Sequence, residues 1–139
     1  MTASAEAPPT FTQTVLETGA DGRARFTTRT IALDAGDPGV RLSALRPAGG
    51  YRLRASPVGF ASPFHCTASP QWVFVLAGRI EIGLHDGSWR AFGPGEHFYA
   101  ADTLPPGEVF DPRRHGHRSR QAGAVPLLTL FLVELPGAV

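Results

Sequence analysis

No stretch of this chain keeps a helical apolar period for three turns, because glycine and proline interrupt it every few residues. Sixteen Gly and 13 Pro in 139 residues cut the sequence into short pieces, and short pieces bounded by turn residues favour strands over long helices. Phe11 to Glu17 and Arg25 to Leu33 are the first strand candidates, with Gly19-Ala20-Asp21-Gly22 as the turn between them. Arg41 to Arg46 and Tyr51 to Ala55 follow, linked through Pro47 and Gly49-Gly50. Gln71 to Leu76 and Arg79 to His85 flank Ala77-Gly78, a tight hairpin. Arg79 to Leu84 alternates polar and apolar, the period of a strand with one buried face. Asp86-Gly87 turns into Ser88 to Phe92, and Gly93-Pro94-Gly95 into Glu96 to Ala101. Gly123 to Pro126 separates His115 to Gln121 from Leu127 to Leu135. About ten short strands at this spacing predict an all-β sandwich or barrel.

The length predicts one domain over residues 11–139, after a small, Pro-rich and mobile segment over residues 1–10. A net charge of +1 creates no field that attracts nucleic acid or an anionic membrane, so neither is expected as a partner. The single cysteine, Cys66, forms no internal disulfide and fits a reducing cytosol. The start lacks an apolar signal-peptide core, and no apolar run approaches membrane-spanning length. A cytoplasmic domain is the expectation. Leu127 to Val133 is apolar on both faces, which calls for a cover outside the barrel. Either the N-terminal strand or a second subunit supplies it, and a homodimer is the leading expectation.

The stretch from Gly59 to Gly78 reads Gly, five residues, His65, one residue, Thr67, three residues, Gln71, six residues, Gly78. This spacing resembles the first motif of the cupin superfamily, G-x5-H-x-H-x3-E-x6-G, whose His, His and Glu bind metal. The resemblance covers roughly residues 41–135 and implies a double-stranded β-helix, the cupin jelly-roll barrel. Thr67 and Gln71 stand where the second His and the Glu would be. The second cupin motif, G-x5-P-x-G-x2-H-x3-N, fits from Gly95 only if about ten residues, 103–114, are inserted before its histidine. Ala101-Asp102-Thr103 and Gly116-His117-Arg118-Ser119-Arg120 resemble a cupin subgroup with such a loop and with a non-ligand at the second His of the first motif.

The resemblance implies that His65, Gln71 and His117 converge inside the barrel. Two imidazoles and an amide oxygen make a weak candidate site for Zn, Ni, Mn or Fe. His115, two residues before His117 on one strand, would share its face and is a further candidate ligand. The competing reading is a metal-free barrel in which His65, Gln71 and His117 are hydrogen-bonding pocket groups and Thr67 lines the pocket. Asp102 is a candidate proton acceptor if Phe98, Phe110 and Trp72 enclose it, and a turn-capping Asp otherwise. Trp72, Phe98 and Phe110 are candidate substrate contacts, Phe110 on an inserted loop that suits a lid or a solvent loop at a dimer rim. Phe60, Phe64, Trp72, Phe74, Phe92 and Phe98 are expected mostly in the core. Strand alternation turns Cys66 away from the site.

These residues point to an enzyme of lyase, isomerase or cyclase type acting on a hydrophobic or aromatic small molecule, with His65, His117 and Asp102 as its catalytic groups. Two other classes stay open: a non-catalytic small-molecule-binding cupin and a metal-dependent oxygenase.

Overall fold

Turn glycines and proline breaks set the strand ends. The structure, a computed structural model, describes residues 7–135, and among these it contains strands and no helix. The strands are β1 (Thr10–Thr18), β2 (Ala24–Ala32), β3 (Ala35–Asp37), β4 (Val40–Leu42), β5 (Ala48–Ser56), β6 (Gln71–Ala77), β7 (Arg79–Gly83), β8 (Trp89–Phe92), β9 (His97–Ala101), β10 (Arg118–Ala122) and β11 (Leu127–Glu134). Residues 1–6 of the expected mobile segment lie outside the described residues, and Thr10 already opens β1. Gly49 and Gly50 belong to β5 and are not the linker expected of them. No described helix is long and apolar enough to cross a membrane.

A six-stranded sheet in the order β2-β1-β9-β6-β11-β5 faces a three-stranded sheet in the order β10-β7-β8. The fold is therefore all-β and two-layered, as expected. Strand alternation sends Leu16, Val73, Val75, Phe98, Ala100 and Leu127 from the large sheet and Ile80, Ile82 and Phe92 from the small one into a shared core. Gly78 closes the β6–β7 hairpin at φ +77°, and a Cβ there would lie 2.6 Å from the Pro126 carbonyl oxygen. Only glycine satisfies both conditions.

The outer face of β11 is only partly covered. Leu127, Thr129 and Phe131 face inward, and Leu128, Leu130 and Leu132 face outward, each only partly buried. The N-terminal strand does not cover them, because β1 pairs edge to edge with β2 and β9 in the same sheet. Tyr51 and Leu53 sit opposite Leu132 and Leu130 and are exposed, 73% and 57%.

Leu127 is a sensitive gauge of this core, since it is 1% exposed between the two sheets. Leu127→Ala is expected to lower stability by about 2–5 kcal/mol, read as a reduced midpoint in urea denaturation.

Candidate functional site

The segment before β6 and the start of β10 are joined by two reciprocal backbone hydrogen bonds, His65 N–H to His117 O (2.9 Å) and His117 N–H to His65 O (3.0 Å). This antiparallel bridge puts the two imidazoles side by side, with ring centroids 4.7 Å apart. Gly116 makes the approach possible. It has φ +84°, and a Cβ there would lie 2.5 Å from the His65 carbonyl oxygen. The Gly before His117 in the Gly-His-Arg-Ser-Arg run is thus a steric requirement of the site.

Both rings are held by the nitrogen that faces the fold. The His117 Nδ1–H donates to Asp102 Oδ2 (2.8 Å), and the His65 Nδ1–H donates to the Pro63 carbonyl (2.9 Å). A carboxylate and a carbonyl only accept, so in the neutral rings the lone pair sits on Nε2. Asp102 is fully buried, and its Oδ1 lies 2.7 Å from the Thr18 hydroxyl. That hydroxyl also lies 2.9 Å from Thr103 O, and its single proton serves one acceptor at a time. Burial pushes the His65 pKa below its ordinary value, and the charges of His117 and Arg54 add to this against the opposing Pro63 hydrogen bond.

The rings border a cavity of about 160 Å³ inside the barrel, lined also by Thr67, Gln71, Ser119, Arg54 and Cys66 and by Val73, Ile80, Ile82, Phe98, Ala100 and Phe131. It is smaller than the roughly 300–1,000 Å³ of drug-sized pockets. His65, Thr67, Gln71, Phe98 and His117 therefore converge as expected, and Phe98 does so as a buried core ring.

Four residues lie elsewhere than expected. Asp102 does not line the cavity and is not enclosed by Phe98, Phe110 and Trp72; it stands behind His117 and orients it. His115 does not share the face of His117, because β10 starts only at Arg118 and residue 115 is in a turn. Its Nδ1 accepts from the Asp111 N–H (2.9 Å) and its Nε2–H donates to Glu108 (3.0 Å), so it pegs the inserted loop with both nitrogens occupied. Phe110 packs beside His115 at 6.1 Å and is 37% exposed, away from the cavity. Trp72 points outward, since its inward neighbour on β6 is Val73. It stacks on His97 at 5.4 Å and floors an external groove of about 410 Å³ beneath residues 42–48. Phe74 and Phe64 are likewise not in the core: they stack on His97 and on His85.

Cys66 departs from expectation in the other direction. Residues 65–67 make a single bridge and no strand, so alternation does not apply, and the thiol borders the cavity. Burial and the Asp102 charge push its pKa up, which keeps it a thiol at neutral pH. Sequence reasoning missed Arg54. The signal was its place on β5, where register with the fully buried Thr129 of β11 turns it inward.

The donor set does not fit a resident dication. Among the described residues no three His, Cys, Asp or Glu side chains are placed to hold a metal ion. The one carboxylate near the rings is used by His117 and Thr18, and a guanidinium shares the cavity.

No family model matches the chain, and no curated protein does. Among solved structures it is similar to a cupin protein from Bacteroides fragilis, at 21% identity over 70% of this chain and 73% of that one, with a TM-score of 0.44. It is also similar to the cupin_2 domain of an XRE family transcriptional regulator from Enterobacter cloacae, at 15% identity over 91% of this chain and 97% of that one, with a TM-score of 0.38.

Gly116→Ala tests the steric account of the site. It is expected to cost about 1–3 kcal/mol or more in stability, because alanine is strained at this φ and must push His65 away. Denaturant titration reads the loss, and a stability equal to wild type would refute the account.

Proposed function

We propose that the protein is a small enzyme that binds a small molecule in the barrel cavity and moves protons on it, in lyase-, isomerase- or cyclase-type chemistry. The observation that carries this reading is the pair of adjacent imidazoles at a half-open, partly apolar cavity, each with Nδ1 tied to the fold. Two rings with free Nε2 atoms supply a base and an acid on neighbouring positions of one ligand. Asp102 acts through His117: it fixes the tautomer and stabilises the ring when it takes a proton, and it touches no substrate. Gln71 and Thr67 orient the ligand, and the aliphatic and aromatic wall excludes water.

The reading takes the cavity as working without a resident metal, supported by the donor set, and this disfavours the oxygenase alternative. A Zn²⁺ titration by calorimetry is expected to show no saturable binding to wild type. Thr67→His with Gln71→Glu adds an imidazole and a carboxylate and is expected to create binding. Saturable binding to wild type would overturn the metal-free reading.

The reaction is tested by NMR in D₂O, following deuterium exchange next to the carbonyl of small oxo acids and ketones. Exchange is expected with wild type. His117→Ala should lower it by roughly 10²–10⁴-fold while ligand affinity is kept. Binding without exchange across the set would make the protein a binding module. The pH dependence carries a sign. His65 works as a base only when neutral, and its pKa is lowered by burial, so the acidic limb of the rate should lie below the ordinary ~6.5. The same shift means that the unfolded chain takes up a proton the folded one refuses. Stability should therefore fall as pH drops below about 6.5, and less so in His65→Asn.

We further propose a homodimer through the outer face of the six-stranded sheet. Tyr51, Leu53 and Leu76 are exposed there beside the half-buried Leu128, Leu130 and Leu132, an apolar surface of the kind that marks an interface. Light scattering at micromolar concentration should give twice the chain mass, and Leu53→Glu should give the monomer. A monomeric wild type would refute the assembly.

A further inference from the structure

We propose that the cavity receives the carboxylate of a small organic acid, with the Arg54 guanidinium as its counter-ion. The inference rests on the reading of this cavity as the ligand site and narrows the ligand class. Arg54 lies on β5 opposite Thr129, and both face the barrel interior. Its Nε is buried and has no hydrogen-bond partner. No described carboxylate comes within salt-bridge distance of it, and its guanidinium lies over two aromatic faces, Phe131 at 4.9 Å and Phe60 at 5.3 Å.

A partly buried charge without a partner is costly, and several other arginines of the fold are paired with carboxylates. Arg46 and Arg29 share Glu134, Arg79 and Arg120 share Glu81, and Arg25 pairs with Glu17. Arg118 also has a buried Nε without a partner, but it stacks over Trp89 and Phe64 and does not line the cavity. Arg54 combines the missing partner with open space. The remaining polar cavity groups, His65, Thr67, Gln71, His117 and Ser119, carry no negative charge. Asp102, the nearest acid to the rings, is screened behind His117. The one permanent charge on the cavity lining is therefore positive.

The shape selects among anions. A guanidinium fork matches a planar carboxylate in two parallel hydrogen bonds. Ile80, Ile82, Phe98 and Phe131 offer the rest of the ligand an apolar wall, which suits a short organic acid better than an inorganic ion. A cavity of about 160 Å³ limits that acid to a few carbons or one small ring. Desolvation lowers the Arg54 pKa, a cost that the charge of a bound carboxylate would offset.

The test compares isobutyrate and pyruvate with the neutral isostere isobutyramide, and with inorganic phosphate, by calorimetry on the wild-type chain. Both carboxylates are expected to bind roughly tenfold or more tightly than the amide, and phosphate weakly. Arg54→Gln should weaken the carboxylates about 10- to 100-fold, the range of a charge-assisted pair, and leave the amide unchanged. Arg54→Lys, which keeps the charge without the fork, should fall between and serves if the Gln variant does not fold. Equal affinity for acid and amide, no binding of either acid, tighter binding of phosphate, or unchanged carboxylate affinity in a folded Arg54 variant would overturn the proposal. Carboxylate binding that depends on Arg54 without any proton exchange would support it and refute the enzymatic reading alone.

Discussion

The reciprocal backbone pair between His65 and His117 is the contact on which the site depends. It joins a segment ahead of β6 to the start of β10 and fixes the relative position of two rings through peptide groups. Side chains alone, with their rotamer freedom, would hold such a pair less well. The contact exists only because residue 116 has no side chain. One glycine therefore sets both the closure of the barrel at this point and the spacing of its two imidazoles.

The charges of the fold are sorted by location. On the outer face, burial raises the Glu134 pKa, but Arg46, Tyr99 and Arg29 outweigh it and hold the carboxyl below its ordinary range. Burial and the hydrogen bond to Glu134 push the Tyr99 phenol up to about 12, so it stays neutral. Inside, Asp102 is the only fully buried acid among the described residues, and it is matched by a histidine and a threonine. Arg54 is the one arginine that lines the cavity, it has no carboxylate partner among the described residues, and this asymmetry gives the cavity its sign.

The fold was legible because turn residues and alternation are local properties. Gly78 and Asp86-Gly87 mark hairpins through their own conformational needs, and the spacing from Gly59 to Gly78 placed His65 and Gln71 at one cavity. Two kinds of failure trace to one cause. His115 was assigned the face of His117, and Cys66 was turned away from the site, by extending strand alternation into residues that form no strand. Trp72 lies outside the pocket expected for it because sequence alone does not say which face of β6 is inside when both carry large apolar groups. Arg54 carried no local signal, since its direction follows from pairing with Thr129, seventy-five positions away in sequence. The place of Asp102 behind His117 carried no local signal either, since it depends on through-space contacts with Thr18 and His117.

Cys66 has a consequence of its own. It is the only thiol of the chain, and it borders the cavity between the two rings' segment and Thr67. Its raised pKa makes it slow to alkylate, and because the thiol borders the cavity, a ligand bound there is expected to slow it further. The protein thus carries a built-in single-site reporter. A change in the rate at which one alkyl group adds to the intact mass reports a ligand near this thiol, so ligands can be screened before any reaction is known.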